Sequence, residues 1–456
     1  MSRILVAGTH SGCGKTTVTC ALLAALKARG LEVSAFKCGP DYIDPMFHRE
    51  VSGMRAHNLD PFFCGGDALR GLLAAHAGDI SVIEGVMGYY DGIGPEGHAS
   101  TYDVARATNT PVVLVIDAKG MHASAGAVLR GFRDFRPDSH IRSVIFNGIS
   151  PRLYEDYRRI AESAGVIALG FLPRQPELSV GSRHLGLITA GEIADIRERL
   201  ARLGRLAEQH IDMDGLLALA GSTAAPEAPI PAPQTPPHPT GAHVGGDLRN
   251  KTVRIAVARD AAFCFLYQEN LELLELRGAE LAFFSPLRDN ALPERIGGLY
   301  LPGGYPELHL GALSANTSMR GAIHEAVSGG LPTVAECGGF MFLHETLDGY
   351  PMTGVIPAQA FRTDRLQRFG YITLTAAADN LLCREGEAIR AHEFHYYDST
   401  GNGDGFIAKK ARGGVEYPCV HATDTLYAGF PHLYFPANPA FAEAFVRKAA
   451  IFAHHL

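Results

Sequence analysis

The sequence predicts two α/β domains joined by a proline-rich linker, and three observations support this fold class. Short apolar runs rich in β-branched residues alternate with amphipathic segments, a pattern typical of a parallel sheet wrapped by helices. The pattern stops at residues 226–239, where seven of the fourteen residues are proline, and then resumes. The chain of 456 residues is long enough for two large domains.

The predicted elements follow in chain order. We place the first domain at residues 1–220, the linker at 221–250 and the second domain at 251–456. Predicted strands of the first domain are Arg3 to Ala7, Val33 to Phe36, Ile80 to Glu84, Pro111 to Asp117, Ser143 to Asn147 and Val166 to Leu172. Those of the second are Val253 to Ala258, Leu281 to Phe284, Gly298 to Leu301 and Pro332 to Ala335.

Composition excludes several classes of protein. Charged residues make up 20% and hydrophobic residues 46%, which is typical of a globular chain. The net charge is −7 and no basic stripe is interleaved with aromatics, which argues against nucleic acid as the main partner. The eight cysteines include no C-x-x-C pair, so neither a disulfide framework nor a zinc knuckle is indicated. With no signal peptide and no long apolar run, we expect a cytoplasmic protein without a membrane partner.

A glycine-rich loop follows the first strand and opens a helix. The residues are GTHSGCGKTT, from Gly8 to Thr17. Such a loop points backbone N–H groups at phosphate oxygens, while Lys15 reaches the outer phosphates and Thr16 a magnesium ion. Five residues separate Gly8 from Gly14, one more than in the standard pattern. We expect the nucleotide to be bound by Gly12, Gly14, Lys15, Thr16 and Thr17.

Acidic residues follow the next two predicted strands. Asp41 lies in GPDYIDP, and Glu84 and Asp91 lie in EGVMGYYDG. A lone acid in a loop is more often a turn-former, but the carboxyl ends of parallel strands gather ligands at one sheet edge. We therefore expect all three at the phosphate site, with Thr16, Asp41 and Glu84 holding Mg²⁺.

A cysteine occupies a strand-to-helix turn in the second domain. Cys337 lies in ECGGF, directly after a predicted strand. This context is typical of a nucleophile, and we expect the helix N-terminus to lower the pKa of the thiol. Upstream, the adjacent Gly303 and Gly304 of LPGGYPE have free backbone N–H groups that are suited to an oxyanion hole.

A thiol nucleophile needs a base, and the late part of the chain offers several histidines. His392, His395, His421 and His432 are the candidates. A lone histidine near an apolar strand is more often a satisfied core or surface residue, so the residues alone do not rank the four.

Eight segments in order resemble the cobyrinic acid a,c-diamide synthase family. They are GTHSGCGKTT, KCGPDYIDP, EGVMGYYDG, RIAVARDAAFCFLYQENLELL, LYLPGGYPELH, AECGGFMFL, AHEFHYYD and GFPHLYFPANP. The resemblance implies an N-terminal amide ligase domain similar to dethiobiotin synthetase and a C-terminal class I glutamine amidotransferase domain. It further implies that ATP, with Mg²⁺, and L-glutamine serve to amidate the a and c carboxylates of a cobyrinic acid or a related tetrapyrrole.

The same resemblance assigns roles to residues. It makes Cys337 the glutaminase nucleophile, His432 its activating base, and Asp41, Glu84 and Asp91 part of the synthetase site; Asn147 is expected to bind adenine. The sequence departs from many class I amidotransferases at His432-Leu433-Tyr434, which lacks an acid two positions after the histidine. A dyad is therefore expected.

Three questions stay open at this point: the identity of the tetrapyrrole, the class of protein and the oligomeric state. The tetrapyrrole could be cobyrinic acid, hydrogenobyrinic acid or a nickel sirohydrochlorin, because the motifs look alike in all three. A different class is a partition-type P-loop ATPase switch, in which the cysteine turn would be idle. The oligomeric state, including a homodimer, is also open.

Overall fold

The structure is a computed structural model that describes residues 1–174, 195–222 and 252–455. The chain divides into two compact units, Met1–Gln234 and Thr235–Leu456. Most of the predicted linker, residues 223–250, lies outside the described residues, so the predicted boundaries at 220 and 251 stay a prediction. No helix in the described ranges is long and apolar enough to cross a membrane.

The described strands of the first unit form a seven-stranded parallel sheet in the order β3-β2-β4-β1-β5-β6-β7. The strands are β1 Ser2–Gly8, β2 Val33–Cys38, β3 Ala56–Leu59, β4 Ile80–Glu84, β5 Val112–Asp117, β6 Ile141–Asn147 and β7 Ile167–Leu172. The six strands predicted for this unit are therefore confirmed within about two residues. The short edge strand β3 was not predicted.

Helices cover both faces of this sheet. They are α1 Lys15–Ala28, α2 Ile43–Ser52, α3 Gly66–Ala75, α4 Thr101–Thr108, α5 Ser124–Asp134, α6 Tyr154–Ser163, α7 Ile196–His210 and α8 Met213–Gly221. Alternate residues of β1 serve the two cores: Ile4 and Val6 pack towards α1 and α7, whereas Leu5 and Ala7 pack towards the opposite face. Burial of both faces explains why these strands are continuous apolar runs.

The second unit has a six-stranded central sheet in the order β20-β21-β11-β10-β8-β9, parallel except for β20. Its strands are β8 Val253–Ala258, β9 Ala279–Phe284, β10 Gly298–Leu301, β11 Thr333–Glu336, β20 His421–Ala422 and β21 Leu426–Gly429. The helices are α9 Gln268–Leu276, α10 Leu310–Ala315, α11 Thr317–Ser328, α12 Gly338–Phe342 and α13 Pro439–His454. The four predicted strands of this unit are all present in the sheet.

Two further sheets complete the described part of the second unit. One has the order β13-β12-β14-β17 and the other, antiparallel, β19-β18-β15-β16-β22. Their strands are β12 His344–Leu347, β13 Tyr350–Pro351, β14 Ile356–Arg362, β15 Arg368–Ala376, β16 Ala388–His395, β17 Tyr397–Ser399, β18 Phe406–Lys410, β19 Glu416–Cys419 and β22 His432–Leu433. The five-stranded sheet shares a core with one face of the central sheet, through residues such as Ile372 and Val257.

Candidate functional site

The phosphate loop connects β1 to α1 and depends on glycine at two positions. Gly12 and Gly14 have φ of 84° and 96°, a left-handed region that favours glycine. Gly14 also lies against the side-chain amide of Asn147, which leaves no room for a Cβ. Thr16 and Thr17 follow in the first turn of α1. The loop therefore has the strand, turn and helix order that phosphate binding requires.

Lys15 is buried and folds back onto its own loop. Its Nζ donates to the carbonyl of His10 at 3.1 Å and to the carbonyl of Met87. Burial lowers the pKa of Lys15, because a desolvated ammonium is unfavourable. These carbonyl partners position the ammonium at the loop, where phosphate oxygens can take their place.

A buried ionic group centred on Glu84 lies beside Thr16. Glu84, at the end of β4, accepts a hydrogen bond from Thr16 Oγ1 at 2.7 Å and one from Lys37 Nζ at 3.0 Å. Its other oxygen is 2.6 Å from His48 Nε2. Lys37 Nζ also lies 2.5 Å from Asp44 Oδ2 and 3.9 Å from Asp41 Oδ2. One ammonium is thus shared by three carboxylates.

Charge compensation sets the pKa values in this group. Burial alone would raise the pKa of Glu84, but Lys37 and His48 outweigh it and hold the pKa well below its ordinary value. Burial likewise would lower the pKa of Lys37, yet Asp44 and Glu84 raise it well above the usual range. Burial and the neighbouring carboxylates of Asp41 and Glu84 raise the pKa of Asp44. Lys37 and Glu84 therefore form a charged buried pair beside Thr16, whereas Asp44 is shifted towards its neutral acid.

The structure brings two of the predicted acids together and places the third in an adjacent loop. Asp41 Oδ1 accepts from the backbone N–H groups of Ile43 and Asp44, at the start of α2. Asp91 is exposed and accepts from the N–H of Gly88 at 2.9 Å. A Cβ at Gly88 would lie 3.0 Å from the carbonyl of Thr9, so the Asp91 loop contacts the phosphate loop.

Asn147 ends β6 and supports the same loop. Its Nδ2 donates to the carbonyl of Cys13 at 3.0 Å. The amide group is therefore already used to hold the phosphate loop, and adenine binding by Asn147 stays a prediction.

Cys337 has the backbone of a nucleophile elbow. It lies between β11 and α12 with φ 45° and ψ −101°, a strained conformation for a non-glycine residue that is typical of functional turns. Its N–H donates to the carbonyl of Gly429 at 2.8 Å and its carbonyl accepts from Met341. These bonds to β21 and α12 hold the turn in place.

The glycine turn after β10 lies directly against this elbow. A Cβ at Gly338 would be 2.9 Å from the backbone nitrogen of Gly304. Gly303 lies against the imidazole of His432, so closely that no Cβ fits between them. The predicted members Cys337, Gly303, Gly304 and His432 are thus brought into one small region.

The other candidate histidines have different surroundings. His395 Nδ1 is 2.6 Å from the carbonyl of Tyr397, and its ring stacks on Phe430 with centroids 3.9 Å apart. His421 Nε2 is 2.9 Å from the carbonyl of Gly401. His392 is the register partner of His432 in β16 and β22. Of the four candidates, His432 is the one that packs on the glycine turn.

The expected lowering of the thiol pKa is wrong. Burial and the carboxyl of Glu307 raise the pKa of Cys337, and the N–H of Gly338 opposes them only in part. Helix α12 has five residues, and its dipole does not compensate for desolvation at this depth. Ionisation of the thiol is therefore unfavourable in this environment.

Several residues of these sites were not predicted. Lys37 lies near the end of an apolar strand, where a charged residue commonly marks the strand terminus. His48 lies within an amphipathic helix, where a histidine has no special meaning. Asp44 lies in the same GPDYIDP segment as Asp41, so it could have been named as a candidate together with Asp41. Glu336 precedes the nucleophile in β11, where its position indicated only a strand residue.

Taken together, the fold and the two sites define a glutamine amidotransferase, in which one chain carries a nucleotide-binding α/β unit and a unit with a thiol elbow. The first unit matches the family model described as the CobQ/CobB/MinD/ParA nucleotide binding domain, over residues 4–187. The second matches the CobB/CobQ-like glutamine amidotransferase domain over residues 254–440.

Curated proteins named cobyrinate a,c-diamide synthase are similar to nearly the whole chain. The one from Thermoplasma volcanium is 38% identical over 460 residues, 98% of this chain and 97% of its own. Those from Listeria innocua and Clostridium acetobutylicum are each 38% identical, covering 96% and 98% of this chain and 98% and 100% of theirs. The chain belongs to the cobyrinate a,c-diamide synthase family.

Proposed function

We propose that this enzyme amidates the a and c side-chain carboxylates of cobyrinic acid, using ATP and ammonia released from L-glutamine, in the cytoplasm. Residues 1–220 form the ligase domain and 251–456 the glutaminase domain. The observation that carries the proposal is the similarity to cobyrinate a,c-diamide synthases, which runs through both units.

The ligase reaction needs an activated carboxylate, because oxide is not a leaving group at neutral pH. A carboxylate oxygen forms a bond to the γ-phosphorus of ATP and ADP leaves, which gives an acyl phosphate. Ammonia then forms the C–N bond and phosphate leaves with the C–O bond broken. Lys15 and the loop N–H groups stabilise the charge that moves on the phosphoryl oxygens.

The donor atoms beside the loop fit a magnesium ion. The Thr16 hydroxyl and the carboxylates of Asp41 and Glu84 are hard oxygen donors, the class that Mg²⁺ prefers, and Thr16 already bonds to Glu84. When bound, the ion would neutralise phosphate charge. Lys37 keeps Glu84 ionised and ready to bind it.

The glutaminase reaction proceeds at the elbow. His432 takes the proton of Cys337 as the sulfur forms a bond to the side-chain amide carbon of glutamine. The N–H groups at Gly303 and Gly304 stabilise the oxyanion, and His432 returns the proton as the C–N bond breaks and ammonia leaves. Water then hydrolyses the thioester to glutamate and restores the thiol.

Substrate identity is tested by turnover with three tetrapyrroles side by side. Cobyrinic acid, hydrogenobyrinic acid and nickel sirohydrochlorin are each supplied with ATP, Mg²⁺ and glutamine, and amide products are counted by mass spectrometry. We expect the highest kcat/KM and two added amides with cobyrinic acid. Higher kcat/KM with either of the others would overturn the substrate assignment while leaving the amidotransferase chemistry intact.

The partition-type switch is the less favoured interpretation, because the resemblance to amidotransferases extends over residues 254–440. A switch would leave Cys337 idle. Glutamate release from glutamine that disappears in Cys337→Ala separates the two classes.

A further inference from the structure

An imidazole that acts as a base works with a group that fixes its proton. The usual position for such a group, two residues after His432, is occupied by an aromatic residue. Tyr434, two positions after the histidine, is buried and packs edge-on against Tyr267 with ring centroids 5.1 Å apart. An imidazole acts as a base only when one nitrogen carries the proton and the other presents its lone pair to the thiol. The side chain that faces His432 Nδ1 is therefore the one to identify.

Glu336 faces this nitrogen. It is the last residue of β11, directly before Cys337, and is 1% exposed. Its Oε2 lies 3.9 Å from His432 Nδ1. The carboxyl of Glu336 and the thiol of Cys337 thus belong to adjacent residues, at the end of β11 and directly after it.

Two hydrogen bonds hold the Glu336 carboxyl in place. Oε1 accepts from the backbone N–H of Leu433 at 3.0 Å, and Oε2 accepts from the hydroxyl of Tyr300 at 3.1 Å. The first bond fixes the strand that carries His432 relative to β11. The second holds Oε2 on the side of the imidazole.

We propose that Glu336 is a positioning residue for His432: it accepts the Nδ1 proton of the imidazole and leaves the other ring nitrogen as the base for Cys337. The inference rests on the proposed glutaminase function. The separation of 3.9 Å is longer than a hydrogen bond, so the two groups approach each other when glutamine binds, as catalytic hydrogen bonds often do.

The protonation states of Glu336 and His432 predict how glutaminase activity depends on pH. Burial raises the pKa of Glu336 to about 8 and lowers that of His432 to about 3. A protonated Glu336 would donate to Nδ1 and fix the unproductive tautomer, whereas the carboxylate accepts and fixes the productive one. Glutaminase kcat/KM should therefore rise as pH increases through about 8.

Other titratable groups lie around Glu336 and His432 and near Cys337. Burial raises the pKa of Tyr300 and of Tyr427 well above the ordinary value, and that of Cys337 is raised as well. His392 and His395 act on His432, and burial lowers their pKa values to about 3 and 4. Glu307 and Glu393 act on Cys337, and burial raises the pKa of both, that of Glu307 to about 7. The part of the rise that is lost in Glu336→Gln is therefore the part assigned to Glu336.

The test uses the full chain with Glu336→Gln, which keeps an acceptor for the N–H of Leu433 but cannot ionise. We expect kcat for glutamine hydrolysis to fall by roughly a hundredfold or more, with little change in KM and with loss of the rise near pH 8. Ligation supported by ammonium chloride should be unchanged, because the ligase site lies in the first unit. Wild-type hydrogen exchange in peptides of the second unit shows that the unit carrying the substitution is folded.

Tyr300→Phe is the matched variant. The Tyr300 hydroxyl lowers the pKa of Glu336, so its removal should move the rise in kcat/KM to higher pH with a plateau near that of the wild type; a purely structural role would not move it. A wild-type rate and pH profile in Glu336→Gln, or an unmoved profile in Tyr300→Phe, would overturn the inference. Glutaminase activity that persists in Cys337→Ala would instead overturn the proposed function itself.

Discussion

The two candidate sites treat buried charge in opposite ways. In the first unit, Lys37 lies among three carboxylates, and Glu84 keeps a pKa well below its ordinary value although it is fully buried. In the second unit, burial raises the pKa of Glu336 to about 8 and lowers that of His432 to about 3. The first site keeps the Lys37–Glu84 pair ionised, and the second site stays close to neutral.

This difference corresponds to the chemistry proposed for each site. A site that binds a metal–phosphate complex needs ionised ligands before the substrate arrives, so its charges are fixed by mutual attraction. A site that makes a thiolate needs charge only during the reaction. Its thiol and base can therefore be neutral at rest and become charged when a proton passes between them. Loss of one charge should damage the first site at every pH, whereas the second should respond to pH.

The largest expected effect comes from Cys337→Ala. Glutamine-supported amidation should fall by about 10⁴-fold or more, because no other group forms the thioester. Amidation supported by a high concentration of ammonium salt at alkaline pH should stay at the wild-type rate. The measurement is product formation with each nitrogen source in parallel.

His432→Ala is the companion variant. Because the pKa of Cys337 is raised, the thiol does not ionise unaided, and we expect a loss close to that of Cys337→Ala. Failure of either variant with both nitrogen sources would indicate a packing role. If His395→Ala alone separates the two nitrogen sources, the base is His395.

The next effect in size is expected for Lys15→Ala. Removing the ammonium that faces the phosphates should lower amidation by about a thousandfold, with glutamine and with ammonia alike. Glutamate release by the second unit should persist, at least in part. Amidation at the wild-type rate would refute the assignment of the phosphate loop.

A smaller loss is expected when one carboxylate of the ligase site is neutralised. Glu84→Gln, Asp41→Asn and Asp91→Asn should each lower amidation by roughly a hundredfold or more, without a change in glutaminase activity. Asp67→Asn is the matched control, since Asp67 pairs with Arg70 at the surface. A control that loses as much activity as Glu84→Gln would contradict a specific role for the site.

The parallel part of the fold could be predicted because its strands are buried on both faces and contain uninterrupted apolar runs, such as the first five residues of Val112–Asp117. The edge strand Ala56–Leu59 contains histidine and asparagine, and its sequence resembles a loop. The strands of the two further sheets of the second unit include some that bury alternate residues, as in Ile356–Arg362. Such strands alternate apolar and polar residues and contain no continuous apolar run, so the criterion that found the parallel strands does not detect them.

For the sites, motifs predicted the residues that chemistry requires at fixed spacing, including Lys15, Thr16 and Cys337. They did not predict partners supplied by a distant element. Lys37 and Glu84 are neighbours because β2 pairs with β4 in register. Glu336 reaches His432 because the end of β11 lies at the start of β22, where Glu336 accepts from the N–H of Leu433. Such contacts depend on strand order, which spacing along the chain does not encode.

The smallest expected effect concerns stability. It tests whether the buried histidines of the second unit are neutral in the folded state. Burial lowers the pKa of His344 to about 4, and His392, His395 and His432 are lowered similarly. A histidine with a lowered folded pKa contributes stability above its unfolded pKa of about 6.5, and this contribution is lost as pH falls towards the folded value. These four histidines should therefore weaken the second unit below pH 6.5. Glu336 and Glu307, with pKa values raised to about 8 and 7, favour the folded state as pH falls and offset part of this loss. Glu84 weakens the first unit only as pH falls below about 4.5.

His344→Gln removes one of these four buried histidines and leaves the proposed base, His432, in place. Each such histidine accounts for about 2 kcal/mol of unfolding free energy between pH 7 and pH 5, so the pH dependence in the variant should be smaller by that amount. The measurement is urea unfolding at both pH values, followed by hydrogen exchange in peptides of the second unit. Comparing the two pH values cancels the pH-independent loss of the His344 contacts to Phe340 and Ser399. His454→Gln, at the exposed end of α13, is the control and should keep the wild-type dependence; an equal dependence in His344→Gln would show that this imidazole is not held neutral.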